Sequence, residues 1–253
     1  MLMTLCISFH NRKDKIMNDI RIDGTGTIGA GEYGLVKVDG VGRCKGDLRA
    51  ESVHVDGIFR CRGGIHTRRL DCDGVVRMHG PLLAGWIGID GMLRVEGSLT
   101  TEAMECDGML TVYGDVKARE LDVDGLMTVR GGTKIEATKI TCEGMIRLNG
   151  EISADSIEAD GFIRAKEIVG ETVRIKSRRF GLFAFVMRRS SRIPLIEATT
   201  IELQGVRAET VNGQDVTIGR GCRIERLDCS GNLRIARGAK VKTLTGGYTL
   251  HKE

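Results

Sequence analysis

Cysteine, histidine and carboxylate side chains are the residues of this chain whose chemistry could support catalysis or metal binding. The sequence of 253 residues holds 8 Cys and 5 His. It contains no Cys-x-x-Cys, His-Glu-x-x-His, Gly-x-Ser-x-Gly or phosphate-binding glycine loop, so the spacings typical of zinc sites, serine hydrolases and nucleotide binding are missing. No Ser, Cys or acidic partner repeats around His54, His66 or His79. We therefore predict no catalytic residue, no cofactor and no metal site, and we expect that the protein is not an enzyme.

Acidic residues followed by glycine form a regular series along the chain. Their positions are Asp23, Asp39, Asp56, Asp73, Asp90, Asp107, Asp124, Glu143 and Asp160. Carboxylates at fixed spacing could bind calcium, but the Gly-Gly-x-Gly-x-Asp motif of calcium-binding β-rolls is absent. Asp-Gly also forms tight turns in which the carboxylate accepts hydrogen bonds from nearby N–H groups, and we favour this interpretation. A basic series lies four residues after the acidic one, at Arg43, Arg60, Arg77, Arg94, Arg147 and Arg164.

The interval between these pairs indicates which elements carry them. Successive pairs are 17 residues apart over most of the chain. Within a copy such as Ile89-Asp-Gly-Met-Leu-Arg-Val-Glu-Gly97, apolar or small residues occupy alternate positions, which is the periodicity of a β-strand. The alternation slips once in each copy, so the strands must be short and joined by corners. We predict an all-β fold, a parallel β-helix of triangular cross-section with about 17 residues per winding.

The composition agrees with a narrow core. Glycine contributes 35 residues, proline 2, and the aromatic residues only 4% of the chain. We expect a lumen too narrow for aromatic layers, glycine at corners that need a positive φ or no Cβ, and few prolines because they would remove hydrogen bonds between windings. Inward positions are predicted for Cys44, Cys61, Cys72, Cys106 and Cys142, as small buried hydrophobic residues. A Cys44–Cys61 disulfide is sterically conceivable but is not expected in a reducing compartment.

The repeat pattern divides the chain into five predicted segments. Residues 1–19 form a tail that could begin at Met1, Met3 or Met17. Residues 20–176 form windings, residues 177–194 an insertion, residues 195–246 further windings, and residues 247–253 a second tail. The apolar start lacks the charged region and the cleavage site of a secretory signal, so we expect a cytoplasmic protein with reduced thiols.

The insertion concentrates positive charge around an apolar run. Residues 174–192 hold seven basic and no acidic residues, which leaves 31 of the 38 basic residues against 34 acidic ones elsewhere. The eight residues 180–187 are too few to span a bilayer but could enter one leaflet while arginines contact the headgroups. Packing on the rod and binding of a protein partner are alternatives; nucleic acid is not expected, because base-reading polar groups are missing. The predicted membrane or partner contacts are Arg178, Arg179, Phe180, Leu182, Phe183, Phe185, Val186, Met187, Arg188 and Arg189.

Two sets of residues resemble the bactofilin family of polymer-forming bacterial cytoskeletal proteins. One is the recurring unit seen in Gly108-Met-Leu-Thr-Val-Tyr-Gly114 and Gly125-Leu-Met-Thr-Val-Arg-Gly131. The other is Val216-Thr-Ile-Gly-Arg-Gly-Cys-Arg-Ile224 followed by Cys229-Ser-Gly-Asn-Leu-Arg-Ile235, which looks like the end of Gram-positive members. The resemblance covers about residues 20–176 and 195–245. The chain is about twice as long as the common single-domain members, and it carries the insertion.

The resemblance implies a right-handed β-helix that assembles end to end into filaments without nucleotide. It also implies association with the inner face of the membrane, unidentified protein clients, and a role in cell shape, division or flagellar assembly. A terminal aromatic residue often helps to seal the polymer contact in this family, and Tyr248 is the candidate here. The alternatives are a docking platform on the membrane that does not polymerise and, less favoured, a solenoid enzyme of the acyltransferase type.

The ends of a parallel solenoid favour self-association independently of the resemblance. An end winding exposes unpaired N–H and C=O groups and a cut apolar core, and neither end of this sequence shows a capping helix. A filament needs both ends, because like-with-like docking at one end gives only a closed dimer. The predicted polymer contacts are Ile20, Ile22, Ile28, Leu233, Ile235, Val241, Leu244 and Tyr248.

Overall fold

The computed structural model describes residues 17–131, 134–177 and 191–251. The chain divides into two compact units, Met1–Thr133 (unit 1) and Lys134–Glu253 (unit 2). Each unit is a parallel β-solenoid, and no helix occurs among the described residues. The predicted all-β parallel solenoid is therefore confirmed, whereas its right-handedness stays a prediction.

Strand bounds follow the repeat. In unit 1 the strands are β1 (Ile20–Ile22), β2 (Thr25–Ile28), β3 (Gly31–Val38), β4 (Val41–Cys44), β5 (Leu48–Val55), β6 (Ile58–Cys61), β7 (Ile65–Cys72), β8 (Val75–Met78), β9 (Leu82–Ile89), β10 (Met92–Val95), β11 (Leu99–Cys106), β12 (Met109–Val112), β13 (Val116–Val123) and β14 (Leu126–Val129). In unit 2 they are β15 (Lys134–Cys142), β16 (Met145–Leu148), β17 (Glu151–Ala159), β18 (Phe162–Arg164), β19 (Glu167–Lys176), β20 (Ser191–Arg192), β21 (Leu195–Gln204), β22 (Val206–Ile218), β23 (Arg223–Cys229), β24 (Asn232–Ile235), β25 (Lys240–Thr245) and β26 (Thr249–His251).

Each winding of unit 1 combines one long and one short strand. In β5 and β6 the buried side chains are Leu48, Ala50, Val53, Val55, Phe59 and Cys61. They form three inward pairs, one for each predicted face, because the alternation slips in the middle of the long strand, at Glu51 and Ser52. This slip turns the strand through a corner without ending its hydrogen bonding to the next winding.

The register between windings equals the sequence repeat. Leu48 pairs with Ile65, and Ile65 pairs with Leu82 in the same parallel register. Each partner lies 17 residues further along, as predicted. In unit 2 the interval varies: it is 16 residues from Glu151 to Glu167, 28 from Glu167 to Leu195 and 15 from Leu195 to Thr210. The interval of 28 is long because the insertion lies between these two windings in the sequence.

The cysteine residues belong to the core. All seven described Cys side chains are buried and have free thiols, so the interpretation as small hydrophobic residues is confirmed. Burial raises the pKa of Cys72 and of Cys106 to about 12, because the apolar lumen disfavours a thiolate. These thiols are therefore protonated and unreactive near neutral pH.

One prediction about the core is wrong in detail. Phe59 is fully buried in the lumen, although aromatic side chains were not expected there. The space for the ring comes from Gly42, its partner in the previous winding. A Cβ at Gly42 would lie 2.9 Å from Cδ2 of Phe59 and would collide with the ring. A single aromatic ring fits because the neighbouring rung has no side chain.

The Asp-Gly corners need glycine for space and not for a positive φ. The described glycines with positive φ are Gly205, Gly221, Gly238 and Gly246, none of which follows an acidic residue. At Gly57 a Cβ would lie 2.0 Å from the carbonyl oxygen of Gly40, and at Gly91 the same distance from that of Gly74. The N–H groups of Asp56 and Gly57 both donate to the carbonyl oxygen of Val38, at 3.0 Å, which holds the corners close together.

Three segment boundaries differ from the prediction. Asp19, placed in the first tail, accepts a hydrogen bond from the Leu35 N–H at 2.8 Å. Ser191 and Ile193, placed in the insertion, are buried in the solenoid. The strand Thr249–His251, placed in the second tail, pairs with β24. The sequence pattern fades at these places because end windings and the return from the insertion carry only part of the repeat.

The corner contact can be tested with two glycines in equivalent corners. Gly91→Ala should lower the free energy of unfolding by about 3 kcal/mol, because its Cβ must displace the backbone of the preceding winding. Gly24→Ala is the matched control: nothing lies within 4 Å of a Cβ there, and the change should stay below about 1 kcal/mol. Urea unfolding of both variants measures this, and equal losses would contradict the corner model.

The buried thiols predict a loss of stability in alkali. The pKa of these two thiols is higher in the folded protein than in the unfolded chain. Between about pH 9 and about pH 12 the unfolded chain therefore loses these protons while the folded protein keeps them, and the free energy of unfolding falls as the pH rises. Each thiol should contribute a slope of about 1.4 kcal/mol per pH unit. Urea unfolding of the wild type and of Cys72→Ala/Cys106→Ala across this range should show a shallower slope for the variant; parallel slopes would refute the assignment.

Candidate assembly and docking surfaces

Two histidines, His54 and His79, have acidic partners that the sequence did not reveal. His54 Nδ1 lies 2.8 Å from Asp71 Oδ2, and His79 Nδ1 lies 2.6 Å from Glu96 Oε2. Each partner is 17 residues away, on the next winding, and a search among residues nearby in sequence misses it. His79 lowers the pKa of the Glu96 carboxyl through this hydrogen bond.

The His54 pair continues into a stacked network and not into a catalytic triad. Arg69 donates two hydrogen bonds of 2.9 Å to Asp71, and its guanidinium lies 4.0 Å from the centroid of the Trp86 ring. The chain of contacts therefore runs from winding to winding and ties outward side chains together. Among the residues that the structure describes, no group of His, Cys, Asp and Glu side chains is arranged to hold a metal ion.

The acidic series forms a ladder of outward carboxylates in unit 1, here called the aspartate column: Asp39, Asp56, Asp73, Asp90, Asp107 and Asp124. Burial and the neighbouring Asp56 raise the pKa of the Asp73 carboxyl. Lys37 lies 3.3 Å from Asp39 and 3.7 Å from Asp56. The N–H groups at the column's own corners donate to carbonyl oxygens of the preceding winding, as from Gly57 to Val38. At another corner the Asp47 carboxylate accepts a hydrogen bond of 2.7 Å from the Gly64 N–H, which lies on the next winding and is not local in sequence.

The C-terminal end of unit 2 has an uncovered apolar core. β25 and β26 pair with β23 and β24 on one side only among the described residues. Val241 and Leu244 are half-buried, whereas Tyr248 is 37% and Leu250 50% exposed. Leu250 was not predicted, because it was placed in a tail; its pairing with Leu233 identifies it as an inward position of the last winding.

Of the predicted C-terminal contacts, Leu233 must be withdrawn. Its side chain is fully buried, because β26 covers it with one further rung. Ile235 is half-buried and lies one winding further in than Leu250. Three predicted contacts are accessible at this end: Val241, Leu244 and Tyr248. We add Leu250 to them as a fourth.

The N-terminal end of unit 1 is better covered. In the described residues β1 and β2 pair only with β3 and β4. Ile22 and Ile28 are nevertheless buried, and Ile20 is half-buried. Of the predicted contacts at this end, only Ile20 therefore offers appreciable surface, and the two ends differ in the apolar area they expose.

The insertion itself lies outside the described residues, and so do all ten predicted membrane or partner contacts, Arg178 to Arg189. Its two ends are described. Ser177 and Ser191 place their Oγ atoms 2.9 Å apart, and Ser191 Oγ accepts a hydrogen bond from the Ile163 N–H. The two described residues that flank residues 178–190 are therefore in contact with each other.

Beside this point unit 2 carries a column of stacked basic residues, here called the basic ladder: Arg164, Arg192, Arg207, Arg223 and Lys240. Each is the cross-strand partner of the next. All five are exposed and make no ion pair with another described residue. Like charges directly opposite one another on neighbouring strands are destabilising, so this surface suits an anion that bridges several rungs. The predicted basic series stopped at Arg164, because the insertion separates Arg164 from Arg192 in the sequence.

Unit 1 carries an outward apolar column that the sequence analysis did not use, here called the apolar stripe: Val41, Ile58, Val75, Met92, Met109 and Leu126. The six residues are successive partners across the short strands. Ile58, Met92 and Met109 are 37%, 42% and 45% exposed. This stripe could have been predicted from the repeat, since the residue after each corner glycine from Gly40 to Gly125 is apolar although its position alternates outward.

The described residues contain no helix long and apolar enough to cross a membrane. Comparison of the chain with protein-family models, with curated proteins and with solved structures finds no match.

Proposed function

We propose that this protein is a non-enzymatic scaffold that assembles end to end into filaments, in the manner of the bactofilins that its repeat resembles. The observation that carries the proposal is the uncovered last winding, where Val241, Leu244 and Leu250 point inward with nothing on their outer side among the described residues. The apolar core at this end could therefore be continued by the winding of a second copy.

The energetics favour association at this end. Apolar side chains of this size stabilise a contact by about 1.5–3 kcal/mol each when fully buried. The free edges of β25 and β26 would also gain hydrogen-bond partners from a second copy. Neither the apolar burial nor the new hydrogen bonds require a bound nucleotide. We therefore expect assembly to depend on protein concentration and not on nucleotide.

Association with an anionic membrane surface is the second part of the proposal. The basic ladder lies next to Ser191, which directly follows the basic and apolar residues 178–190 in the sequence. We therefore expect the ladder and these residues to meet a lipid surface together. Each basic residue near such a surface contributes about 1 kcal/mol. We place the protein in the cytoplasm, on the inner face of the membrane, where it would organise client proteins for cell shape, division or motility.

A charge placed in the last winding should block assembly. Leu250→Lys, alone or with Leu244→Glu, should abolish filaments in negative-stain microscopy, because the new charge would have to be buried at the contact. Thr200→Lys is the matched control, since it adds the same charge at an exposed position away from the end. Filaments from both Leu250→Lys and Thr200→Lys would contradict the proposal, and a wild type that stays monomeric at any salt would favour a platform that does not polymerise.

Membrane binding can be assigned to the basic ladder by a charge-matched comparison. Arg192→Gln/Arg207→Gln/Arg223→Gln should weaken sedimentation with phosphatidylserine vesicles by roughly a hundredfold. The control is Arg43→Gln/Arg60→Gln/Arg77→Gln in unit 1, which removes the same charge.

Deletion of residues 178–190 separates the insertion from the ladder. The deletion joins Ser177 to Ser191, whose side chains already touch, and should also reduce vesicle binding. Equal binding by the ladder variant, the control and the wild type would exclude the ladder, and unchanged binding after the deletion would exclude the insertion.

A further inference from the structure

We propose that unit 1 is also a lateral interface, through which two copies pair side by side and in parallel, winding against winding. The surface is the face formed by the short strands of unit 1. This pairing is independent of end-to-end assembly, because it uses the flank of the solenoid and not its last winding.

The face consists of three columns in a fixed order. An aspartate lies at the corner before each short strand, and the outward positions of the strand are then a member of the apolar stripe and an arginine, as in Asp73 at the corner and Val75 and Arg77 on β8. Alternate residues of a strand lie about 7 Å apart. The arginine column is Arg43, Arg60, Arg77 and Arg94, and its partners are parallel and in register.

The exposed apolar residues indicate that this face is an interface. Only five large apolar side chains are exposed among the described residues: two belong to the C-terminal end, and Ile58, Met92 and Met109 belong to the stripe. An apolar strip that charged groups border on both sides is typical of a protein contact surface.

The charges of this face have few partners within one copy. Asp90, Asp107 and Asp124, like Arg43 and Arg60, make no ion pair with another described residue. The apolar stripe lies between the aspartate and arginine columns, and no ion pair joins the two columns among the described residues.

Arg94 is the exception in the arginine column. It lies 3.3 Å from Glu96 and 4.6 Å from the centroid of the Tyr113 ring. Its guanidinium is therefore already engaged, and the charge pairing between copies rests on the other arginines.

Symmetry decides how a second copy fits. When two such faces meet about a two-fold axis parallel to the solenoid, stripe lies on stripe, and Asp73 lies opposite Arg77 of the second copy. When the copies run antiparallel, the aspartate columns meet each other and repel. Parallel pairing is thus the arrangement in which the charges are complementary.

A second copy suits this face better than a lipid surface does. An anionic membrane would attract the arginine column. It would repel the aspartate column, because the carboxylates and the lipid headgroups are both negatively charged. A second copy also repeats the rungs at the same spacing of about 4.8 Å, so its side chains can meet this stripe at every winding.

Single cysteines test the geometry. The test uses three single variants in a Cys6→Ser background: Ile58→Cys, Met92→Cys and Met109→Cys. Each of these positions lies on the proposed two-fold axis. A short bismaleimide should therefore join the new cysteine to the same cysteine of the second copy. Arg49→Cys, exposed on another face, is the control and should give no more covalent dimer than the background protein. End-to-end contacts do not bring these positions together, so this result does not depend on filament formation.

Two outcomes of the cross-linking would overturn the proposal. One is a yield no higher than that of Arg49→Cys at all three positions. The other is cross-linking only between unlike variants, such as Ile58→Cys with Met109→Cys, because that pattern belongs to antiparallel copies.

A charge exchange tests the complementarity. Arg77→Asp should lower the dimer yield of Met109→Cys about tenfold, because it puts an aspartate opposite Asp73 of the second copy. Adding Asp73→Arg to the same chain should restore the yield, since each exchanged charge then meets its opposite again. The experiment is done with Leu250→Lys present, which excludes end contacts. No loss with Arg77→Asp, or no recovery in the double exchange, would overturn the pairing.

Discussion

Every winding of this protein completes the hydrogen bonds and the core of its neighbours. The corner carbonyl of Val38 accepts two N–H groups from the next winding, and Gly57 comes so close to Gly40 that no Cβ fits between them. The same contact repeats along unit 1 and fixes both the rung spacing and the register there. A winding that has a neighbour on one side only is therefore incomplete, and this incompleteness is the origin of the proposed self-assembly.

The two proposed contacts follow from the same repetition. At the C-terminal end the core is cut, so inward residues such as Leu250 become surface. Along unit 1 the repetition turns single outward residues into columns, so one apolar position in the repeat becomes a continuous stripe. One residue type in the repeat is thus multiplied by the number of windings, which agrees with the proposed role in extended contacts.

The sequence predicted the interior of the repeat better than its boundaries. The 17-residue interval, the inward cysteines and the single slip in the alternation of each copy agree with the structure, because alternation and corner glycines are local signals. Leu233 and Leu250 were misjudged because inward position alone does not show how many rungs cover a residue. The basic ladder was missed beyond Arg164 because the insertion separates Arg164 from Arg192 in sequence while the sheet makes them neighbours.

The sequence thus predicted the fold class, the winding length and the order of charges within each copy of the repeat. Each of these depends on residues that are close together in the sequence. Which residues are covered depends on contacts one winding away. The folded chain alone reveals that Phe59 fits above Gly42, that His54 meets Asp71, and that the arginines of unit 2 stack into one ladder. Backbone geometry sets the distance between windings, and the side chains that meet across it are 15 to 28 residues apart in the sequence.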